Sequence, residues 1–203
     1  ARRIAPEKLI KETGAAAARR LKLRLLPHTQ AVRICKETRQ LRTTRGTLRY
    51  DQLVLAHGAK ASLPPALPAA LCWRINHLGA YLKLREALGD AATTGPKDVL
   101  IVGAGLIGSE LANDLALGGH RVTLLDVQPE PLARWHADKA GAQVLQAWKD
   151  LSIRFVGEVK VASVERLALD AERLWQPLPA GTAAAGQTTR LRITTECGQH
   201  FAA

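Results

Sequence analysis

The stretch that decides the fold is KDVLIVGAGLIGSELANDLALGGHRVTLLD, at residues 97–126. It begins with an apolar segment, Val99–Val102, and continues into glycines with the spacing G-x-G-x-x-G at Gly103, Gly105 and Gly108. A helical segment and a second apolar segment follow, which together predict a strand–turn–helix–strand unit. In such a unit Gly103 allows a tight turn, Gly105 lets a diphosphate approach the backbone, and Gly108 lets the helix pack closely on the sheet.

The helix is predicted from about Leu106 to Leu117, so that its free N–H groups and positive dipole end face a diphosphate. Asp126 ends the next strand about twenty residues after Gly105, where a carboxylate accepts hydrogen bonds from ribose hydroxyls. That carboxylate repels a 2′-phosphate and no arginine directly follows it, so NAD is favoured over NADP. The alternatives are a plain crossover with a glycine-rich turn and an aspartate that only keeps the strand end soluble.

The composition is that of a folded chain with its own core. Apolar residues make up 47% of the 203 residues, which is enough for a core. No apolar segment approaches the ~18 residues of a membrane span and no signal peptide opens the chain, so no membrane partner is expected. Methionine is absent even at position 1, so the sequence is expected to be a piece of a longer protein.

Cysteine and histidine usage argues against disulfides and metal sites. The three cysteines lie far apart and form no C-x-x-C pair, which favours a reducing compartment and predicts a cytoplasmic location. The six histidines show no paired spacing one helical turn apart, so no metal site is predicted. The cysteines are Cys35, Cys72 and Cys197.

The positive charge is concentrated in the first quarter of the chain. Residues 1–50 account for the whole formal net charge of +11, and the remaining residues are balanced. Such a region can steer an acidic partner or bind nucleic acid, although it can also be a simple solvated surface. Nucleic-acid binding is not favoured, because no helix-turn-helix, zinc-finger or aromatic-basic RNA motif is present.

Periodicity and breaker residues predict short elements on both sides of the glycine motif. A proline-rich stretch, 61–71, is predicted to be a linker because it cannot continue a helix or a sheet. The predicted helices are Pro6–Leu21, Gly79–Leu88 and Leu132–Asp150; the predicted strands are Leu21–Leu26, Thr29–Cys35, Gln52–Ala56, Arg121–Leu125, Ser152–Val156, Glu158–Arg166 and Arg190–Thr194; Thr38–Thr43 and Thr47–Arg49 form a predicted hairpin, and Pro177–Thr189 a predicted loop.

Two segments together resemble the FAD-dependent pyridine nucleotide-disulfide oxidoreductases. The first is LRYDQLVLAHGAKASLPP at 48–65, and the second is the block 97–132, which extends the glycine motif to G-x-G-x-x-G-x-E. The segments INHLGAYLKLREAL and ELANDLALGGHRVTLLDVQPEPLAR are most similar to rubredoxin–NAD reductases. The resemblance implies an α/β, Rossmann-like FAD/NAD(P)-binding fold, with a nearly complete NAD-binding domain and part of an FAD-binding domain.

The resemblance also implies a domain order and a reaction. Residues 1–64 correspond to a partial FAD-binding domain, 65–96 to a crossover linker and helix, and 97–203 to an NAD-binding domain truncated at its C-terminus. Members take hydride from NADH onto FAD and pass single electrons to a small iron protein such as rubredoxin or ferredoxin. The alternative is a non-catalytic module that binds and senses NADH.

Individual residues are assigned where they match the family's motifs. Glu110 matches the glutamate near nicotinamide and flavin and is the candidate catalytic residue, although a helix dipole also favours a carboxylate in the first turn. Ala56 and Gly58 match the flavin-side segment, and Ala31 falls near the adenine-contacting backbone. The NAD turn and ribose acceptor correspond to Gly103, Gly105, Leu106, Ile107, Gly108 and Asp126.

The chain also departs from the family's pattern. No second G-x-G-x-x-G precedes Gly103, and no third flavin-contacting segment follows the NAD block. The 203 residues alone are therefore expected to hold FAD weakly or not at all, and to be inactive in isolation. His57 stands where the family usually has threonine or an apolar residue. Arg134 is within reach of a cofactor phosphate, but a surface ion pair is favoured for it.

Overall fold

The computed structural model describes residues 6–60, 62–134, 139–167 and 190–203. The described residues up to Lys60 form one compact unit, and those from residue 62 onwards form a second. The assignment of domains to FAD and NAD, with a linker over 65–96, stays a prediction. Within the described ranges, no helix combines the length and apolarity that crossing a membrane requires.

The first unit contains a three-stranded antiparallel sheet, as the predicted strand and hairpin require. A 3₁₀ turn, Pro6–Leu9, precedes helix α1, so the helix predicted from Pro6 onwards begins only at Gly14. The Thr13 hydroxyl caps this helix by accepting a hydrogen bond from the N–H of Ala16 at 3.2 Å. The elements are α1 (Gly14–Arg20), β1 (Ala31–Cys35), β2 (Gln40–Thr43) and β3 (Gly46–Arg49), and the sheet order is β1-β2-β3.

Two predicted strands of this unit, Leu21–Leu26 and Gln52–Ala56, are wrong. Lys22 adopts φ 53 in the turn after α1, which interrupts an extended backbone. Val54 and Leu55 are 85% and 64% exposed, and among the described residues no strand pairs with them. Alternating or apolar sequence alone does not make a strand, because the backbone groups need a hydrogen-bonded neighbour.

The second unit is built on a three-stranded parallel sheet with helical crossovers. Parallel neighbours need such crossovers, because the chain must return to the starting edge of the sheet before the next strand begins, and a tight hairpin joins only antiparallel strands. Strands pair in the order β4-β5-β6, and helix α4 packs on all three. The elements are α2 (Leu78–Leu88), α3 (Ala91–Thr94), β4 (Asp98–Val102), α4 (Leu106–Leu117), β5 (Arg121–Leu125), α5 (Ala140–Ala147) and β6 (Ile153–Val156).

An antiparallel sheet completes this unit, with the order β7-β8-β9. The predicted strand from Glu158 begins later because Glu158 has φ 57. The described part of the predicted helix Leu132–Asp150 is helical only in α5, and its residues 135–138 lie outside the described residues, as does the loop Pro177–Thr189. The strands are β7 (Val161–Leu167), β8 (Arg190–Thr195) and β9 (His200–Ala202), and β9 was not predicted.

Two buried clusters hold the second unit together and position the site. The first joins α4 to the parallel sheet through Ala112 and Leu124, which are both 0% exposed. The second joins the end of β5 to the antiparallel sheet through Leu125, Ile193 and Phe201. Burying one such leucine or phenylalanine contributes roughly 1.5–3 kcal/mol. The carboxyl ends of the parallel strands and the antiparallel sheet are thereby held beside each other.

Candidate functional site

The glycine-rich turn connects β4 to α4 and depends on two glycines for packing. Gly103 has φ 105, a conformation that favours glycine, and its N–H donates to the Leu125 carbonyl at 2.7 Å. A Cβ on Gly108 would overlap the carbonyl oxygen of Gly103. The first and third glycines are therefore required by the turn and by the close approach of α4, before any ligand is considered.

Gly105 has the opposite surroundings. It is the N-cap of α4 at φ −73, and no atom lies within 4 Å of the place where its Cβ would stand. The first intrahelical bond runs from the Ser109 N–H to the Gly105 carbonyl at 2.9 Å. The N–H groups of the first turn have no acceptor within the helix. The absence of a side chain at Gly105 thus leaves open space beside amide donors that have no acceptor within the helix.

Asp126 fastens the glycine-rich turn to the end of β5. Its Oδ2 accepts a hydrogen bond from the N–H of Ala104, and its Oδ1 accepts one from the N–H of Gln128 at 2.8 Å. The alternative of a strand-end aspartate that only improves solubility is therefore wrong. A carboxylate has about four acceptor sites, so two of them are left for a ligand hydroxyl.

These elements line a groove of about 800 Å³ at the carboxyl ends of the parallel strands. This is where open α/β sheets bind their ligands, and the volume is in the range of small-molecule sites. The remaining lining comes from the proline-rich stretch, the segment after β5 and the antiparallel sheet: Pro64, Pro65, Ala66, Leu67, Val127, Gln128, Glu130, Leu132, Ala133, Arg134, Val159, Lys160, Val161, Ala162 and Glu196.

Two cationic side chains line the groove, and their surroundings differ. Lys160 Nζ lies 2.6 Å from Glu196 Oε1, with side chains 67% and 56% exposed, so this pair contributes little to stability. Arg134 forms no ion pair within the described ranges. The surface ion pair favoured for Arg134 from the sequence stays a prediction, and the residue lines the groove.

Three other predicted residues lie on α4 outside the groove lining. Leu106 and Ile107 are 52% and 76% exposed, so only their backbone groups are suited to a phosphate. Glu110 is exposed. Because α4 begins at Leu106, Glu110 lies in its second turn, and the first turn contains no acidic residue. The first-turn position expected for Glu110 is therefore wrong, and the dipole argument for a carboxylate there weakens.

The residues assigned to flavin belong to the first unit. Ala31 begins β1 opposite Thr43, and Ala56 and Gly58 lie in an exposed stretch without regular secondary structure. Gly58 has φ 73. None of the three is part of the groove, and their flavin role stays a prediction.

The groove wall formed by the antiparallel sheet was not predicted from the sequence. Val159 and Lys160 follow β6, so the rule that ligands bind beyond the carboxyl ends of parallel strands points to them. No local signal identifies Glu196, which reaches the groove only through the pairing of β7 with β8. Among the described residues, no cluster of three metal-ligating side chains is present.

A cysteine follows one position after the groove residue Glu196. The hydroxyl of Thr195 lies 3.2 Å from the sulfur of Cys197. This side-chain hydrogen bond, followed by one from the Gln199 backbone, lowers the pKa of the Cys197 thiol. Burial raises the pKa of the Cys72 thiol, so the two cysteines differ in the pH at which they form thiolate.

Cys197 is expected to be alkylated by iodoacetamide at pH 7.5 faster than Cys72, because a lowered pKa leaves more thiolate at that pH. Thr195→Val is expected to slow alkylation of Cys197, and Thr195→Ser to preserve the rate. Peptide mass spectrometry over a time course measures both rates. Equal rates at Cys197 in Thr195→Val and the unmodified chain would contradict the assigned cause.

Comparison with known proteins shows the family to which the chain belongs. The profile of the pyridine nucleotide-disulphide oxidoreductase family matches residues 2–174, and the chain belongs to this family. It is 32% identical over 158 residues to the nitric oxide reductase FlRd-NAD(+) reductase of Escherichia coli strain SE11, covering 78% of this chain and 41% of that protein. The chain thus spans about two fifths of the length of the curated relatives that it matches.

Solved structures show the same fold. The putidaredoxin reductase–putidaredoxin covalent complex has a TM-score of 0.73 at 22% identity, covering 97% of this chain and 43% of that one. The water-forming NADH oxidase from Lactobacillus brevis bound to NADH has a TM-score of 0.70 at 19% identity, covering 98% and 40%. The predicted family and the Rossmann-like fold class are confirmed, and the cofactors of the family, FAD and NAD(P)H, are those predicted.

Proposed function

We propose that this chain supplies the NADH-binding part of a flavoprotein reductase that passes electrons from NADH through FAD to a small iron protein such as rubredoxin or ferredoxin. One observation supports it above the others: the glycine-rich turn, the open space at Gly105 and the carboxylate of Asp126 line one groove at the carboxyl ends of the parallel strands. Membership of the pyridine nucleotide-disulphide oxidoreductase family and similarity to an NAD(+) reductase both agree with a groove that binds NADH.

The groove offers complementary groups to both ends of an adenosine diphosphate moiety. The free N–H groups at the start of α4 and its dipole attract the diphosphate, and Gly105 leaves room for its close approach. Asp126 is fixed by two backbone N–H groups and keeps acceptor sites for the ribose hydroxyls. The role of this chain in catalysis is therefore to bind and orient the nicotinamide cofactor.

NADH supplies the hydride when it is bound, and the protein determines its placement. Asp126 disfavours a 2′-phosphate, and the residues after it, Val127 and Gln128, carry no positive charge. An engineered NADPH oxidase, which is similar in fold, replaces an aspartate by alanine and the adjacent alanine by arginine. Loss of a carboxylate and gain of a cation is the charge change that favours a 2′-phosphate, whereas this chain has a carboxylate at Asp126 and no cation at Val127 or Gln128, which supports NADH as the preferred cofactor here.

The other proposed contacts concern flavin and the electron acceptor. Glu110 is proposed to lie near the nicotinamide and flavin, and Ala31, Ala56 and Gly58 near FAD, by their match to the family's motifs. The described segments that contain these three residues include no G-x-G-x-x-G phosphate turn. Weak flavin binding, lack of activity in isolation and a cytoplasmic location are likewise predictions from the sequence.

An acidic electron-transfer protein is the proposed acceptor. Arg33 pairs directly with Arg42 across β1 and β2, and both side chains are exposed. Like charges placed opposite each other destabilise a sheet but strengthen the positive potential that attracts an acidic partner. The putidaredoxin reductase complex is a case in which a similar fold contacts a small redox protein.

Titration of the purified chain with NADH and NADPH, followed by calorimetry, tests the cofactor proposal. NADH is expected to bind at least about tenfold more tightly than NADPH, because a 2′-phosphate near Asp126 costs roughly 1.4 kcal/mol or more. Absence of NADH binding, or tighter binding of NADPH, would show that the proposed site is wrong.

A further inference from the structure

His120 has a buried imidazole that takes part in the hydrogen bonding of the parallel sheet. The residue is only 4% exposed and lies between the end of α4 and the start of β5. The N–H of Lys97, directly before β4, donates to the Nδ1 of His120 at 3.2 Å, and the Lys97 carbonyl accepts from the N–H of Arg121 at 3.0 Å. The imidazole therefore adds one hydrogen bond to the pairing of β4 with β5, just before its first register pair.

This bond requires a neutral imidazole. An Nδ1 that accepts a hydrogen bond carries no proton, so the ring proton is on Nε2. Protonation of Nδ1 places a hydrogen opposite the N–H of Lys97, which removes the acceptor of that donor and buries a charge. In an unfolded chain the imidazole takes up a proton freely near pH 6.5. Acid therefore favours the form of the chain in which the bond is broken.

The formal charges around His120 do not select one protonation state. The imidazole lines a cavity of about 350 Å³ between α2, α3 and α4. The titratable and charged residues around it are Tyr81 and Arg85 of α2, Asp90 before α3, Asp114 of α4, and Lys97, Asp98 and Arg121 at the two strands. Asp98 and Arg121 pair with each other, and tyrosine is uncharged near pH 6. Two carboxylates and two cations remain, so burial and the accepted hydrogen bond favour the neutral ring.

His77 makes the same kind of bond at the surface and provides a comparison. Its Nδ1 accepts a hydrogen bond from the N–H of Ala80 at 3.1 Å and caps α2, but the residue is exposed. When that bond breaks, water replaces the acceptor at little cost. Burial is thus the property that makes the bond of His120 sensitive to protonation.

We propose that His120 is a pH-sensitive switch of the second unit, in which the neutral imidazole fastens the start of β4 to β5 and protonation of Nδ1 releases it. Histidine suits this role because its charge changes between pH 5 and 8. The same two strands lead to Gly103 and Asp126 at the groove. The switch acts through the fold of the second unit, so it does not depend on which cofactor the groove binds.

The first test is ¹⁵N NMR of the chain with labelled histidine at pH 7.5, with the signals of His120 assigned by their loss in His120→Asn. The nitrogen shifts report which ring atom carries the proton. We expect the proton of His120 on Nε2, because Nδ1 accepts the bond from Lys97. A proton on Nδ1 at this pH would overturn the proposal.

The second test is urea unfolding at pH 7.5 and pH 5.5, followed by tryptophan fluorescence. This signal reports on the second unit, because Trp148 is buried in its core and no tryptophan precedes residue 73. Between the two pH values the unfolding equilibrium constant of the unmodified chain is expected to rise about tenfold more than that of His120→Asn. The asparagine Oδ1 replaces Nδ1 as acceptor and does not titrate.

Two further variants separate the bond from simple loss of a histidine. His120→Gln does not titrate either, but its acceptor lies one bond further out, so we expect it to unfold at lower urea than His120→Asn at pH 7.5. His77→Asn removes the exposed histidine and is expected to retain the tenfold pH effect. If His120→Asn fails to fold, His120→Gln takes its place in the pH comparison.

A pH effect that agrees within twofold between the unmodified chain and His120→Asn would overturn the proposal. Loss of the effect in His77→Asn would do the same, because it would assign the effect to the cap of α2. Neither test uses NADH, so failure of the switch and failure of the proposed function are distinguished.

Discussion

Replacement of Gly108 by alanine is expected to destabilise the second unit by about 3 kcal/mol, at the upper end for overpacking in a dense interior. The added Cβ would overlap the carbonyl oxygen of Gly103 and approach its carbonyl carbon to 3.0 Å. Both are backbone atoms, so α4 must move away from β4 and the buried cluster under it must repack. The shift in the urea midpoint of unfolding, at constant slope, measures the effect.

Gly105→Ala is the matched control for this change, since it adds the same methyl group three residues earlier. No atom lies within 4 Å of the new Cβ and φ is −73, so the stability loss is expected to stay below about 1 kcal/mol. NADH binding is nevertheless expected to fall at least tenfold, about 1.4 kcal/mol, because the methyl group occupies the open space. Equal stability losses in the two variants would contradict the packing argument.

Replacement of Asp126 by alanine is expected to lower both stability and NADH affinity. The N–H of Ala104, which is only 1% exposed, loses its acceptor, and a buried unpaired donor costs about 1–3 kcal/mol. NADH affinity is expected to fall about 100-fold, because the ribose loses a charged acceptor while the turn loses its attachment. Urea unfolding and calorimetric titration measure the two effects separately.

Asp114→Ala serves as the control for Asp126→Ala. It removes the same charge from an exposed position of α4, and its effect on stability is expected to lie within about 0.5 kcal/mol. If Asp126→Ala weakens NADH binding but unfolds at the same urea concentration as the unmodified chain, Asp126 acts on the ribose alone. The structural role of its carboxylate would then be wrong.

The best predicted part of the chain is the one whose signals are local. The helix after the glycines was expected from Leu106 to Leu117, and the structure gives the same bounds. The following strand, Arg121–Leu125, also agrees. The signals that set these bounds are the glycine-rich turn, the apolar strand before it, and Gly118 and Gly119 at the end of the helix. They lie within a few residues of the elements that they delimit, so they can be recognised in the sequence alone.

The strands that were predicted wrongly or missed depend on contacts between residues that are distant in the chain. Leu21–Leu26 and Gln52–Ala56 have strand-like composition, but a strand forms only where another strand accepts its hydrogen bonds. The short strand β9 was missed for the same reason, since Phe201 becomes 3% exposed only through pairing with Ile193. Pairing partners are set by the tertiary fold, and a single sequence offers no local record of them.

The sequence by itself determined the strand–turn–helix–strand unit, the glycine spacing and the aspartate at the end of β5. Tertiary structure decided the rest of the site: the bond from the Ala104 N–H to Asp126, 22 residues away, the ion pair of Lys160 with Glu196, and the position of Arg134 at the groove. The physical reason is range. Backbone conformation follows from neighbours in the chain, whereas a groove is made by residues that only packing brings together.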